Sequence, residues 1–168
     1  MEINMLDLLP EICDKYSDEI CVLQPIFQSF GAKETFWGEI ITLKVFEDNS
    51  KVRELAALDG TGKVLVVDSD GSKNRAMLGD LLATKAAING WQGIIINGCV
   101  RDVNALSTIE LGIKALDAHP LKTDKRGLGD INVPLHIGGV EIVAGAFIYA
   151  DNNGVVVSKT PLDLAALE

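Results

Sequence analysis

The chain has 168 residues, of which 48% are hydrophobic and 23% are charged. This length predicts a single domain, residues 1–168, that buries about 70% of the surface of the unfolded chain. A formal net charge of −9 at pH 7 argues against direct nucleic-acid binding, which needs a basic face. The same charge is compatible with a basic protein partner.

The sequence carries no signal for a membrane or for secretion. No run of 18 apolar residues occurs, so we predict no membrane span. The N-terminus lacks the basic segment that begins a signal peptide. The three cysteines are an odd number without metal-ligand spacing, which is typical of reduced thiols. We therefore expect a cytoplasmic protein.

The first 70 residues predict helices and strands in alternation. A short helix begins at Asp7 or Leu9 and runs through residue 16. Alternating polar and apolar residues at 36–46 predict a long strand with one polar face. The remaining elements expected here are an extended piece at 21–23, a helix at 52–58 capped by Asn49 or Ser50, a buried strand at 63–67 and a turn at 68–71.

Residues 79–102 are the most informative stretch. They predict a helix with Gly79 at its start and Gly90 just past its end, followed by a buried β-branched strand at 93–97. A helix of about 11 residues descends roughly 16 Å, and the strand climbs back a similar distance. The two ends should therefore meet, which brings unpaired helix N–H groups close to Arg101 and Asp102.

A structural interpretation of the same residues stays open at this point. Residues 102–108 predict a short helix or an irregular turn. Asp102 could be the N-cap of such a helix, Arg101 a surface ion-pair partner and Gly79 part of a turn. The spacing alone does not decide between a site and a scaffold.

The last third of the chain predicts two hairpins and a loop. Tight-turn sequences lie at 138–139 and 151–154, and the turn alone accounts for Asp151 and Asn152. The polar, glycine-bearing residues 122–130 predict a surface loop that could overhang the site. The remaining elements are an extended link at 75–78, a strand at 114–119 and a helix at 162–167. Together these elements predict an α/β layered sandwich with a mixed sheet.

Three segments carry a resemblance to a known family: Gly-Asp-Leu-Leu-Ala at 79–83, Gly-Cys-Val-Arg-Asp at 98–102 and Ala-Asp-Asn-Asn-Gly-Val-Val-Val at 150–157. With these segments in the same order, and over essentially the whole chain, the sequence resembles the RraA-like family. That family groups the regulators of ribonuclease E activity with the 4-hydroxy-4-methyl-2-oxoglutarate aldolases. Residues 46–49 and 64–68 are similar to the regulator branch.

The resemblance implies a fold, an assembly and an activity. The fold would be a β/β/α "swivelling"-type domain, and the assembly a ring-shaped homotrimer with active sites between subunits. Family members with the Arg-Asp pair are class II, metal-dependent aldolases, which cleave 4-hydroxy-4-methyl-2-oxoglutarate to two pyruvates and decarboxylate oxaloacetate. Both reactions pass through the enolate of pyruvate, so catalysis needs positive charge where that oxygen becomes negative.

Carried over by position, the resemblance assigns roles to individual residues. Arg101 would contact a small 2-keto acid substrate, and Asp102 would hold a divalent cation, Mg²⁺ or Mn²⁺. The substrate's carboxylate would lie on the backbone of four residues, Gly79, Asp80, Leu81 and Leu82.

One departure from the family pattern bears on the activity. The aldolases continue Arg-Asp-x-x-Glu/Asp, whereas this chain has Ala105 at the last position. Decarboxylation places fewer requirements on the site than oriented aldol cleavage does, so we expect the missing acid to reduce decarboxylation less than aldol cleavage. The alternative function is that of a non-catalytic regulator, which binds ribonuclease E and inhibits RNA processing.

Overall fold

A computed structural model describes residues 5–167 of the chain. The helices are α1 (Leu8–Lys15), α2 (Ser50–Ala56), α3 (Asp80–Ile88) and α4 (Val103–Leu106), followed by a 3₁₀ helix at Leu164–Leu167. The strands are β1 (Ile20–Val22), β2 (Gln28–Ser29), β3 (Phe36–Lys44), β4 (Lys63–Asp68), β5 (Ala76–Leu78), β6 (Gly93–Val100), β7 (Gly112–Ala118), β8 (Asp130–Ile131), β9 (Leu135–Ile137), β10 (Val140–Ile142), β11 (Phe147–Asp151) and β12 (Gly154–Ser158).

Ten of these strands form one mixed sheet, in the order β1-β12-β11-β3-β4-β6-β7-β2, with β5 beside β6 and β8 beside β3. The central strands β3, β4, β6 and β7 are parallel, and the outer strands pair in antiparallel fashion. Strands β9 and β10 form a separate hairpin around the predicted Gly-Gly turn. The mixed sheet with helices confirms the predicted α/β class.

The central strands are buried on both faces, which produces three layers. Leu65 and Val67 of β4 face a core that includes residues of α2 and α3. Val64 and Val66, one position away, face a second core that includes the β9–β10 hairpin. Because side chains alternate along a strand, a run of β-branched residues supplies both cores at once. The order of layers is hairpin, sheet, helices.

A third core lies against the outer antiparallel strands. It packs α1 and the 3₁₀ helix against β11 and β12, with Leu8, Ile12 and Tyr149 among its buried members. Asp151 is also buried here, and its Oδ2 accepts a hydrogen bond from the N–H of Leu9 at 2.9 Å. This contact satisfies one of the open N–H groups in the first turn of α1.

Several predicted elements differ from the structure in their limits. The closing helix covers only Leu164–Leu167 and is 3₁₀, and the link at 75–78 contains strand β5. Strand β6 continues to Val100 because β5 replaces β4 as its neighbour at Cys99 and Val100. The two-residue strands β2 and β8 were not predicted, since so short a segment has no detectable periodicity. Within residues 5–167, no helix is both long and apolar enough to span a membrane.

Candidate functional site

The carboxyl ends of β5 and β6 lie side by side and carry the predicted site residues. Gly79 and Asp80 follow β5, while Arg101 and Asp102 follow β6. The N–H of Arg101 donates to the carbonyl of Leu78 at 2.9 Å, which holds the two chain segments together. In α/β sheets the carboxyl ends of parallel strands are the usual location of ligand sites. The two ends of residues 79–102 therefore meet, as predicted.

The carboxylate of Asp102 lies at the N-terminus of α3. Its Oδ2 accepts a hydrogen bond from the N–H of Asp80 at 3.0 Å. Asp102 has a left-handed backbone, with φ of 60°, and holds the N-cap position of α4 without a capping hydrogen bond from its side chain. The structural interpretation is thus correct for the backbone of Asp102, whereas its side chain turns towards the cleft.

Gly79 makes this placement of Asp102 possible. A Cβ built at Gly79 would lie 2.5 Å from Oδ2 of Asp102 and 3.5 Å from Nε of Arg101. The backbone of Gly79 is extended, with φ of −129°, so any residue could adopt its conformation. Glycine is needed here for space and not for backbone freedom.

The first turn of α3 retains donors for a bound anion. The N–H of Ala83 donates to the carbonyl of Gly79, so the N–H groups of Leu81 and Leu82 precede the first intrahelical bonds. Asp102 already accepts from the N–H of Asp80. An anionic ligand at this helix end would therefore use the donors of Leu81 and Leu82.

A cleft of about 290 Å³ opens at this point, and its charged lining is mainly cationic. Asp80 and Asp102 are its two acids. Among residues 5–167, none of its five basic side chains forms an ion pair with a carboxylate. These side chains are Arg53, Lys85, Arg101, Lys122 and Lys125. In a chain with a net charge of −9, this local excess of positive charge favours an anionic ligand.

The predicted loop at 122–130 borders the cleft, and buried Asp48 anchors it. Oδ2 of Asp48 accepts from the N–H groups of Arg126 at 2.9 Å and Leu128 at 3.1 Å. Its Oδ1 accepts from the N–H of Ser50 at 2.9 Å. Burial by itself raises the pKa of Asp48, but these hydrogen bonds and that from the Ser50 hydroxyl outweigh burial and lower the pKa to about 2.

Sequence reasoning missed the role of Asp48. It assigned the cap of α2 to Asn49 or Ser50, whereas Asn49 occupies the N-cap position without a capping hydrogen bond from its side chain. The local signal was the Asp-x-Ser pattern before a helix, in which an aspartate accepts from the residue two positions on. The connection to residues 126 and 128 had no local signal, because these residues lie 78 and 80 positions after Asp48.

The donors at the cleft fit a hard divalent cation that keeps most of its water. Asp102 is exposed and presents one carboxylate to the cleft, with Asp80 also in the lining. Residues 5–167 contain no cluster of three or more His, Cys, Asp or Glu side chains able to enclose a metal. Mg²⁺ is commonly held by one or two carboxylates together with waters and substrate oxygens, and this donor set meets that requirement.

The comparison with protein families gives one match over most of the chain. A profile described as RraA-like, Aldolase/RraA, matches residues 9–157. The chain belongs to the RraA-like family. This confirms the resemblance inferred from the three sequence segments.

Curated relatives within the RraA-like family are named provisionally as aldolases. A protein of Stutzerimonas stutzeri with the provisional name 4-hydroxy-4-methyl-2-oxoglutarate aldolase is 56% identical over 155 residues, which are 92% of this chain and 96% of that protein. A relative from Azotobacter vinelandii with the same provisional name is 53% identical over 155 residues, 92% of this chain and 96% of its own length.

Two solved structures share the fold of this chain but carry other names. The RNA-processing inhibitor RraA from Thermus thermophilis superposes with a TM-score of 0.90 at 40% identity, covering 95% of this chain and 96% of that one. A Geobacillus kaustophilus protein named S-adenosylmethionine:2-dimethylmenaquinone methyltransferase also has a TM-score of 0.90, at 44% identity, with 92% and 96% covered. Proteins similar to this chain thus carry three different functional names.

Proposed function

We propose that this RraA-like chain is a divalent-metal-dependent lyase for 2-keto acids. Its reactions would be the cleavage of 4-hydroxy-4-methyl-2-oxoglutarate to pyruvate and the decarboxylation of oxaloacetate, both through a pyruvate enolate. The observation that carries the proposal is the carboxylate of Asp102, held at the N-terminus of α3 beside Arg101 in a cation-lined cleft. The names of the relatives differ, so the proposal rests on this site.

The roles of the cleft residues would follow from their charge: the acid would bind the metal, and the cation and N–H donors would bind the substrate. Asp102 would hold Mg²⁺ or Mn²⁺, which supplies positive charge to a developing enolate oxygen. The N–H groups of Leu81 and Leu82 would bind the carboxylate of the 2-keto acid. Arg101 offers a planar pair of donors that matches a carboxylate or stabilises the negative oxygen. Such donors accelerate the reaction only where charge develops in the transition state.

Ala105 supports decarboxylation as the more robust of the two activities. The family pattern has an acid at this position, and acids near a metal orient its ligands. Oxaloacetate decarboxylation needs the substrate bound and the enolate stabilised, whereas aldol cleavage must also remove the proton of the substrate's C4 hydroxyl group. We therefore expect oxaloacetate decarboxylation to be the easier activity to detect.

The test is pyruvate release from oxaloacetate, measured with and without added Mg²⁺. We expect metal-dependent release above the rate of Mg²⁺ alone, and its loss in Asp102→Ala. Asp124→Ala is the matched control, because Asp124 is an exposed aspartate on the neighbouring loop that does not line the cleft. Release no faster than with Mg²⁺ alone would refute the lyase proposal, as would full activity in Asp102→Ala.

A second candidate function is the binding of ribonuclease E. Two observations favour it: the TM-score of 0.90 to a protein named as an RNA-processing inhibitor, and the net charge of −9, which suits a basic partner. Binding and chemistry can coexist if they use different surfaces. Asp102→Ala would then abolish turnover and leave binding of a ribonuclease E fragment unchanged in a pull-down with the purified chain. Joint loss of both would refute this separation.

We also propose that the chain forms the homotrimer typical of the family. The outward positions of α3 include Leu81 and Ile88, which are 81% and 78% exposed. A helix with apolar residues on its outer face is usually covered by another surface. Light scattering should give the mass of a trimer, and Ile88→Glu should lower it; a stable monomer would refute the proposal. A cytoplasmic location stays a prediction from the sequence.

A further inference from the structure

Arg53 is a cation of the cleft that the reaction proposed above does not use. It belongs to α2, is exposed, and lines the same cleft as Arg101 and Asp102. Among residues 5–167 it has no carboxylate partner, whereas Lys51 on the same helix pairs with Glu54 at 3.1 Å. An arginine without an acidic partner, on a wall of a cleft, is available to an anionic ligand.

The backbone of Arg53 is held by contacts at the start of α2. Its N–H donates to the carbonyl of Asn49 at 3.1 Å, in the first turn of α2. The Asn49 side chain accepts a hydrogen bond from the hydroxyl of Thr123 at 2.9 Å, and Thr123 is buried. The start of α2 is therefore tied to the loop at 122–130, so the backbone that carries Arg53 keeps a constant place beside the cleft.

Arg53 also lies apart from the groups assigned to the 2-keto acid unit. Helix α2 follows β3, and β4 separates β3 from β6, whose end carries Arg101. Neighbouring strands are about 4.8 Å apart, so β3 and β6 lie roughly 10 Å apart across the sheet where Lys44 and Asn97 are level. A ligand that spans part of this distance would have one end at Asp102 and another near α2.

A guanidinium group suits this place better than an ammonium group for geometric reasons. Its planar donors match a carboxylate in a bidentate arrangement, so it recognises shape as well as charge. A 2-keto acid with an uncharged tail would leave Arg53 without a partner and would gain nothing from it. The cleft should therefore discriminate by what stands at the far end of the substrate.

We propose that Arg53 is a specificity-determining residue that binds a second carboxylate, at the end of a 2-keto acid remote from Asp102. This inference rests on the proposed function, because it places the keto end of the substrate at Asp102 and Arg101. It extends that function by naming the residue that selects dicarboxylates over monocarboxylates of the same length.

The test compares two ligands that differ only at the far end. 2-Oxoglutarate and 2-oxopentanoate have the same carbon chain, with a carboxylate or a methyl group at its end. Their dissociation constants are measured by calorimetry with Mg²⁺ present, for the native chain and for Arg53→Gln and Arg53→Lys. Lys51→Gln is the matched control, because it removes a cation from the same helix outside the cleft.

We expect Arg53→Gln to weaken the binding of 2-oxoglutarate about tenfold and to leave the binding of 2-oxopentanoate unchanged, an effect of about the size of one hydrogen bond to a charged group. Arg53→Lys should lose less affinity for 2-oxoglutarate than Arg53→Gln, and Lys51→Gln should bind both ligands as the native chain does. The KM for oxaloacetate should rise about tenfold in Arg53→Gln, with a smaller change in kcat. Thermal unfolding of each variant checks that it is folded. If Arg53→Gln does not fold, the dissociation constants of Arg53→Lys for the two ligands provide the test.

The two proposals fail in different ways. If Arg53→Gln weakens the binding of both ligands equally, or of neither, the role of Arg53 is overturned even if the native chain decarboxylates oxaloacetate. A native chain that binds the two ligands equally overturns it as well. If selective binding is lost in Arg53→Gln but the native chain has no lyase activity, the lyase proposal fails and the binding role of Arg53 stands.

Discussion

The substitution Gly79→Ala separates the requirements of the site from those of the fold. The new Cβ would lie 2.5 Å from Oδ2 of Asp102, about 0.9 Å short of ordinary van der Waals contact at 3.4 Å. The backbone at Gly79, with φ of −129°, accepts alanine without strain. Asp102 is exposed, so its side chain can turn away into solvent at little cost. The clash is therefore relieved by moving one carboxylate.

This movement should slow the reaction strongly and change the free energy of unfolding only slightly. The Asp80 N–H to Asp102 hydrogen bond, 3.0 Å long, is lost when Oδ2 retreats by about 1 Å. A misplacement of about 1 Å in a catalytic group can reduce the rate about 100-fold, which corresponds to about 2.7 kcal/mol in the transition-state free energy. The free energy of unfolding should change by less than about 1 kcal/mol, because water can replace the lost contact at an exposed group.

The assay is metal-dependent pyruvate release from oxaloacetate, with unfolding in urea measured on the same preparation. Thr84→Ala is the control, since Thr84 is exposed on the same helix and does not line the cleft. Native kcat/KM in Gly79→Ala would refute the claim that the position of Asp102 matters. A large loss of stability would refute the claim that an exposed side chain absorbs the clash.

Two further predictions concern buried charges. The pKa of Asp48 is about 2 in the folded chain, against an ordinary value of 3.8, so Asp48 stabilises the fold above pH 3.8 and loses that contribution as the pH falls through 2. Asp48→Asn should lower the free energy of unfolding by about 2 kcal/mol at pH 7 and flatten its decline in acid, as urea titrations would detect; an unchanged acid profile would contradict the assignment. Burial lowers the pKa of Lys114, which donates to the carbonyl of Asp151, so the folded chain binds fewer protons at this lysine and stability should rise as the pH increases towards 10.5. Lys114→Met should abolish that rise in thermal unfolding at alkaline pH, and an identical rise in the variant would exclude Lys114 as its source.

The sequence by itself determined the elements around the site. The alanine- and leucine-rich helix and the β-branched strand of residues 79–102 have strong local signals, and their lengths require the two ends to meet. The segments 79–83, 98–102 and 150–157 were sufficient to predict the family, which the family profile confirms. Both tight turns and the exposed loop at 122–130 were also readable, because turn residues act through their own backbone.

Only the tertiary structure decided which cations join the predicted site residues 79–82, Arg101 and Asp102. Arg53 and the two lysines of the loop come from segments outside residues 79–102, and no periodicity links them to that stretch before the sheet brings them to one edge. The anchoring of that loop by Asp48 joins residues 78 and 80 positions apart. Sequence patterns describe neighbours within a few residues, whereas these contacts depend on the order of strands in the sheet. The charge of the cleft is accordingly a property of the fold.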